Sequence, residues 1–247
     1  MAEPLISIII PAYNYAHLLP RAVQSVLPQL NSQTELLVID DGSTDATQQV
    51  LLHLHEAYPD RFRSIYKPNG GLASTRNAGI ELSHGQWLIF LDADDELVPG
   101  ILPVLINHIA QHPHSRMVIG GHSSVFPSGK QRQHKPGTLA ALALERVRDY
   151  LLHKKLTLSN GACVMHREVF GAGKYPERFR NVEDIPVFSQ VLAHFPVSTI
   201  EEPVALIHKH DDSLRHNMVY AKAIGLDLVD EVFRRLPPLM QSMRSQF

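Results

Sequence analysis

The 247-residue sequence has little of several features that define whole classes of protein. Its one cysteine, Cys163, excludes an intrachain disulfide and any metal site built from several thiolates. No stretch reaches the roughly 18 apolar residues that a membrane-spanning helix needs, and no basic segment precedes the first short apolar run, as a secretory signal would require. The net charge of -2 gives no general attraction for nucleic acid. We therefore expect a cytoplasmic chain without a nucleic-acid partner.

The composition, 44% hydrophobic and 19% charged, is that of a globular protein with a substantial core. Continuous apolar runs occur at Leu5–Ile10, Leu36–Ile39 and Trp87–Leu91, which is typical of strands buried on both faces. Helical periodicity lies between them, at about 17–30, 46–58 and 72–82. This alternation predicts an α/β fold with a mostly parallel, Rossmann-like central sheet flanked by helices.

The pattern changes after the helix at 101–111 and the strand-like run at 117–120. Residues 126–136 are polar and are predicted to form a loop, and helices are predicted at 139–155 and 227–243. Basic residues outnumber acidic ones between Lys130 and Lys155. This excess indicates either a solvated helix face or a surface for an anionic acceptor or membrane.

The most informative motif is Asp92-Ala93-Asp94-Asp95, which follows directly on the apolar run at 87–91. In an extended segment, residues two apart point the same way, so Asp92 and Asp94 share one side. Carboxylate oxygens suit Mg²⁺ or Mn²⁺ shared with a phosphate, and they predict a divalent-metal site for a polyanionic ligand. The alternative is an acidic turn that caps the following helix.

Polar residues also follow the other predicted strands. Tyr13 comes after the first strand and offers a ring for stacking on a base, and Asp41 comes after the second and can accept hydrogen bonds from a base or a ribose. Carboxyl ends of parallel strands meet at one edge of a sheet, where ligands bind in open α/β folds. Arg76 could contact a diphosphate or brace the carboxylates, and a structural ion pair competes equally.

With these motifs in this order, the chain resembles glycosyltransferase family 2, whose members have the GT-A fold. The resemblance covers about residues 5–212, and the matching segments are Ser7–Asn14, Glu35–Asp45, Asn69–Asn77, Gly85–Asp95 and Glu183-Asp184. It implies transfer of a hexosyl or N-acetylhexosaminyl group from a nucleotide-sugar donor to an acceptor hydroxyl, with inversion. It also implies a divalent metal, Mn²⁺ or Mg²⁺, as cofactor.

The resemblance assigns roles to particular residues. It implies that Asp41 holds the base, usually uracil, that Asp92 holds the ribose, and that Asp94 holds the metal on the diphosphate. In the segment 208–213, His210 is the better match for a histidine that completes metal or diphosphate binding, although His208 complicates the alignment. The full set of donor-binding residues expected on this basis is Pro11, Ala12, Tyr13, Asp41, Arg76, Asp92 and Ala93.

Glu183 and Asp184 begin a predicted helix, with Pro186 in its first turn. One interpretation is that Asp184 is the N-cap of that helix. The other, which the family resemblance implies, is that Asp184 deprotonates the acceptor hydroxyl as general base, with Glu183 as the alternative carboxylate. Nearby helix N–H groups would keep such a base ionised.

The resemblance divides the chain into a nucleotide-sugar-binding half at 1–122, an acceptor-binding and catalytic half at 123–212, and a helical extension at 213–247. The expected acceptor is a glycan or a lipid-linked glycan, and possible contact with the membrane surface follows from the basic segment. By analogy, the reaction would belong to bacterial surface polysaccharide or lipopolysaccharide synthesis. Two alternatives remain open, a phosphohydrolase of the haloacid dehalogenase type and a non-catalytic module that binds nucleotide sugars.

Overall fold

A computed structural model of the protein describes residues 3–209 and 218–246, including side chains except at 218–224. The strands are β1 Ile6–Ala12, β2 Thr34–Asp40, β3 Arg63–Tyr66, β4 Trp87–Phe90, β5 Glu96–Leu97, β6 Met117–Val125, β7 Gln131–His134, β8 Cys163–His166 and β9 Val197–His208. The helices are α1 Leu19–Val26, α2 Thr47–Ala57, α3 Leu72–Leu82, α4 Ile101–Gln111, α5 Ala143–Leu151, α6 Asp184–His194 and α7 Met218–Arg235. None of the described helices combines the length and apolarity that crossing a bilayer requires.

The strands form one sheet in the spatial order β3-β2-β1-β4-β8-β6-β9-β5. β7 lies outside this order and pairs with the last four residues of β6. The α/β fold class is confirmed, and the sheet is mixed. β3, β2, β1 and β4 run parallel, whereas β8 is antiparallel to both β4 and β6. Since β6 and β9 run parallel to each other, the carboxyl ends of β1, β2, β4, β6 and β9 all lie toward the same edge.

Two layers of side chains enclose the sheet because successive strand residues point to opposite faces. Ile8 packs with α1 and α4 on one face, and Ile9 packs with α3 and α6 on the other. Both are fully buried. Each such side chain contributes about 1.5–3 kcal/mol to folding, so the apolar runs that predicted the strands also stabilise them.

Most predicted helices occur with small shifts at their ends, but the one predicted at 227–243 was misplaced, since α7 begins at Met218. α1 is shorter than expected because a 3₁₀ turn at Leu27–Gln29 continues it, and α7 ends at Arg235, before Pro237-Pro238. Val232 and Phe233 of α7 are buried in the core, so this segment packs on the domain.

The prediction of a loop at 126–136 was wrong in part. β6 extends to Val125 and forms a hairpin with β7, in which His122 pairs with His134. The turn contains Gly129, whose φ of 78° is adopted by glycine at less cost than by residues with a side chain. β7 escaped prediction because an exposed edge strand needs no apolar alternation.

Candidate active site

The acidic loop after β4 brings three carboxylates together. Side-chain oxygens of Asp92, Asp94 and Asp95 lie within 4.8 Å of one another, and the N–H of Asp95 donates to the carbonyl oxygen of Asp92 over 3.0 Å. The helix-cap alternative fails because α4 begins after Gly100, with no capping side chain. A tight cluster of hard oxygen ligands fits a divalent cation such as Mg²⁺ or Mn²⁺.

β9 braces this loop from behind. The backbone N–H of His208 donates to Oδ1 of Asp95 over 2.9 Å, and Nε2 of His208 lies 2.7 Å from Oε1 of Glu96. Arg21 adds a hydrogen bond to the carbonyl oxygen of Asp94. The structure therefore gives His208 a bracing role, and the predicted ligand His210 lies outside the described residues.

Arg76 connects the acidic loop to the start of α6. Its Nη2 donates to Oδ1 of Asp92 over 2.9 Å, and its Nη1 donates to Oε1 of Glu183 over 2.5 Å. The guanidinium is 5.5 Å from the centroid of the Tyr175 ring, and the side chain is 3% exposed. Arg76 therefore braces the two carboxylates through ion pairs, as two of the alternatives from the sequence describe, and its contact with a diphosphate stays a prediction.

Glu183 and Asp184 stand beside this guanidinium at the first turn of α6. Glu183 occupies the N-cap position and makes no capping hydrogen bond, whereas Asp184 is already the first helical residue. The capping interpretation of Asp184 is therefore wrong. The error arose because a cap was placed one residue too late, and helix ends are the least certain part of a sequence pattern.

The two carboxyls hold their protons more tightly than ordinary ones. Burial raises the pKa of Glu183 to about 7, with the Arg76 charge opposing and the Asp184 charge adding to the shift. Burial also raises the pKa of Asp184, against Arg76 and the backbone N–H groups of Asp184 and Ile185. Oε2 of Glu183 is buried and has no hydrogen-bond partner among the described residues. Buried acids with raised pKa values beside an acidic loop are typical of sites that transfer protons.

Asp41 lies at the carboxyl end of β2 and is buried. Its carboxylate accepts hydrogen bonds from the N–H groups of Gly70 and Gly71, over 3.0 and 2.8 Å, and from Nζ of Lys67 over 2.5 Å. Its own N–H donates to the carbonyl oxygen of Ala12 over 2.8 Å. Asp41 thus ties the loop before α3 to the end of β1, which is where the expected base-binding residues meet.

Tyr13 projects from that edge and is 45% exposed, so its ring is available for stacking. Of the other expected donor-binding residues, Pro11 and Ala12 are buried at the end of β1, and Ala93 is buried in the acidic loop after β4. Asn14 connects the loop after β1 to the loop after β2, because its Oδ1 accepts a hydrogen bond from the N–H of Thr44 over 2.8 Å. The backbone of Asn14 has a φ of 57°.

Sequence reasoning missed three supporting residues: Lys67, Asn77 and Tyr175. Asn77 holds the backbone of Tyr175 at both ends, donating to its carbonyl oxygen over 2.9 Å and accepting from its N–H over 3.0 Å. The hydroxyl of Tyr175 donates to Oδ1 of Asn160 over 2.6 Å. The position of Asn77, directly after Arg76 in a matched motif, was the one available signal.

The fold and this site define a glycosyltransferase with the GT-A fold. The family model "Glycosyl transferase family 2" matches residues 7–173, and the chain belongs to that family. Among curated relatives, it is 45% identical over 94 residues to an uncharacterised glycosyltransferase of Nostoc, covering 38% of this chain and 29% of that protein. It is 37% identical over 126 residues to the chondroitin synthase of Pasteurella multocida, covering 51% and 13% respectively. The chain thus spans less than a third of the length of these relatives.

Solved structures show the same fold. TarS 1–349 of S. aureus in complex with UDP superposes with a TM-score of 0.74 at 19% identity, covering 98% of this chain and 69% of that one. A mannosyltransferase of Pyrobaculum calidifontis in complex with GDP-Man and Mn²⁺ superposes with a TM-score of 0.66 at 16% identity, covering 99% and 69%.

Proposed function

We propose that the chain transfers a single hexosyl or N-acetylhexosaminyl group, with inversion, from a UDP-linked donor to a hydroxyl of a glycan or lipid-linked acceptor. The observation that carries the proposal is the Arg76 bridge, because one buried guanidinium joins Asp92 of the acidic loop to Glu183. In such a transfer, one set of charged groups must stabilise the leaving diphosphate and another must take the proton of the entering acceptor. Arg76 contacts both the acidic loop proposed for the first task and the start of α6 proposed for the second.

Asp184 is the proposed general base, and Glu183 is the alternative. As the acceptor oxygen forms its bond to the anomeric carbon, Asp184 takes the hydroxyl proton, and the bond between that carbon and the diphosphate oxygen breaks. The electron pair leaves with the nucleoside diphosphate. A raised pKa suits this role, since a base that binds protons more tightly removes them more effectively.

A divalent ion, Mn²⁺ or Mg²⁺, would be held by Asp94 together with Asp92 and Asp95, and His210 is proposed as a further ligand. The close grouping of their oxygens is the feature that fits such an ion. When bound, the ion offsets the negative charge that develops on the diphosphate leaving group.

The proposed donor subsite uses Tyr13 to stack on the base and Asp41 to accept its N–H, with Pro11, Ala12, Ala93 and Arg76 around them. It is supported by the exposure of Tyr13 beside the buried Asp41. Fold neighbours solved with UDP, with UDP-GlcNAc and with GDP-Man support a nucleotide sugar as donor. We place the enzyme in bacterial surface polysaccharide or lipopolysaccharide synthesis, at the inner face of the cytoplasmic membrane, where the basic residues of 130–155 would meet an anionic acceptor.

The test is a panel of UDP-, GDP-, CDP- and dTDP-sugars with Mn²⁺, read by melting temperature and by the product released. UDP-sugars should raise the melting temperature most, and UDP should be released when an acceptor is supplied. Release of inorganic phosphate as the primary product would indicate a phosphohydrolase instead. Binding of UDP-sugars without turnover over a broad acceptor panel would indicate a non-catalytic module.

A further inference from the structure

Glu231 of α7 is an acid with an unusual environment. The side chain is 2% exposed, yet its carboxylate meets three arginines: Arg178 at 2.8 Å, Arg234 at 2.8 Å and Arg235 at 2.6 Å. Burial alone would raise the pKa of Glu231, but hydrogen bonds and charges from Arg234 and Arg235 lower it below its ordinary value. A buried carboxylate is therefore kept ionised at the centre of a cationic cluster.

Two of these arginines, Arg178 and Arg235, connect Glu231 to the chain segments that carry Glu183 and Asp184. Arg178 belongs to the segment 172–183, which runs between the 3₁₀ turn at Arg167–Gly171 and the start of α6 and ends at Glu183. Its neighbour Phe179 is buried, and the Arg178 guanidinium lies 4.9 Å from the centroid of the Phe179 ring. Glu231 thus holds the segment five positions before Glu183.

Arg235 provides a second connection. Its Nη1 donates to Oε1 of Gln190 on α6 over 3.2 Å, and Nε2 of Gln190 donates to the carbonyl oxygens of Val169 and Gly173 over 2.9 and 3.1 Å. Glu231 is therefore linked both to the helix that carries Asp184 and to the beginning of the segment that precedes it.

Arg234 differs from the other two. Its side chain is 69% exposed, and within the described part of the chain its hydrogen bonds go to Glu231 alone. Arg178 is similarly exposed, at 59%, and meets the same carboxylate. The two arginines are therefore a matched pair for comparison. Arg178 belongs to the segment that leads to Glu183, whereas Arg234 lies on α7 beside Glu231 itself.

We propose that Glu231 is a positioning residue for the transfer reaction, which holds Glu183 and Asp184 in place through Arg178 and Arg235. This rests on the proposed function, because it assigns a catalytic purpose to the segment 172–183. It also makes α7, which follows the residues matched by the family model, part of the catalytic apparatus.

The test compares Arg178→Gln with Arg234→Gln. Each variant is measured for melting temperature, for the Kd of UDP with Mn²⁺, and for UDP release from UDP-GlcNAc and UDP-glucose with water as acceptor. Both should lower the melting temperature slightly and leave the Kd unchanged. Arg178→Gln should lower kcat by about 10-fold at unchanged donor KM, since small displacements of a reacting group have effects of this size. Arg234→Gln should keep wild-type kcat.

Arg178→Lys, which keeps a cation near Glu231, should recover part of the lost kcat, whereas a purely structural tie would change melting temperature alone. Glu231→Gln should behave like Arg178→Gln if it folds, and the arginine pair decides the question if it does not. Equal kcat in Arg178→Gln and Arg234→Gln would overturn the proposal. A wild-type protein that binds no UDP and releases none would overturn the proposed function, and this proposal with it.

Discussion

The guanidinium of Arg76 and the carboxylate of Glu183 form a buried ion pair of 2.5 Å between residues 107 positions apart. One comes from the helix after β3, and the other stands at the start of α6. Their contact, with Asp92 as the third member, joins α3, the acidic loop after β4 and the start of α6 at the candidate active site.

Arg76→Met should remove this junction and leave Glu183 buried without its counter-charge. Loss of one partner of a buried pair destabilises a protein by about 3–5 kcal/mol. Urea unfolding of the variant would measure this change in the free energy of unfolding. Arg63→Met is the control, because Arg63 pairs with Glu35 over 3.5 Å and its own side chain is 44% exposed, so the change in stability should be no more than about 1 kcal/mol. Similar losses in the two variants would argue against a central role for Arg76.

The sequence predicts β1, β2 and β4 well, because their continuous apolar runs favour strands buried on both faces. The parallel edge strand β3 was not predicted, since its four residues are only partly buried and form no apolar run. The sequence predicts β9 poorly, since Glu201, Glu202 and Pro203 interrupt any apolar alternation there. That strand is stabilised by pairing with β6 along its length, including an irregular register around Gly121. Pairing between distant segments leaves no local pattern.

The same distinction applies to the site. The acidic cluster was predicted correctly, but the extended geometry expected for it was wrong. Residues 92–95 form a turn, closed by the N–H of Asp95 donating to the carbonyl oxygen of Asp92 over 3.0 Å. The partners of Asp41 and Arg76 depend on tertiary contacts, which a single sequence does not contain. The alternative interpretation of Asp184 as a cap failed because residue type alone does not locate a helix end within one position.

Asp94→Asn should nearly abolish sugar transfer, because the amide keeps the shape of the side chain and removes the charge that binds the cation. We expect turnover to fall by about 10²–10³-fold, as on loss of other groups that stabilise developing charge. Chelator should have the same effect on the wild type, reversibly on addition of Mn²⁺. Asp60→Asn, at an exposed turn, controls for loss of one carboxylate. Full activity in chelator would contradict the metal-dependent mechanism.

Asp41→Ala should weaken binding of UDP by about 1–3 kcal/mol, the range for removing a hydrogen bond to a charged group. The loop at Gly70 and Gly71 also loses its anchor, so the melting temperature should fall. Asp45→Ala is the control, because Asp45 ties the neighbouring loop through Ala16 and Thr47. Calorimetry with UDP and Mn²⁺ measures the difference, and an unchanged Kd in Asp41→Ala would restrict Asp41 to holding the loop.

Glu183 should make the protein less stable as the pH rises. Its pKa is raised to about 7 in the folded state, from an ordinary value of 4.5, so the folded state binds more protons between these values. Stability is therefore fully present below pH 4.5 and is lost progressively up to about pH 7. Glu183→Gln, which mimics the protonated acid, should gain on the order of 3 kcal/mol relative to wild type between pH 4.5 and 8. Urea unfolding across this range measures it, and Glu56→Gln, on the surface, should show no such trend.

A catalytic role of Asp184 can be separated from a structural one by measuring both the stability and the turnover of a single variant, Asp184→Asn. Because burial raises the pKa of Asp184, the neutral amide of Asp184→Asn should keep or raise the melting temperature at neutral pH, and the Kd of UDP should stay close to that of wild type. If Asp184 is the general base, the same variant should lower the rate of transfer by about 10²–10⁴-fold, since an amide cannot accept the acceptor proton.

Glu183→Gln provides the comparison, because it neutralises the adjacent carboxyl while the Asp184 carboxylate remains. A severe loss of turnover in Asp184→Asn with a milder loss in Glu183→Gln would identify Asp184 as the base. The reverse order would assign proton transfer to Glu183, whose buried Oε2 is without a partner in the described structure. Near-normal turnover in both variants would remove the pair from the mechanism altogether.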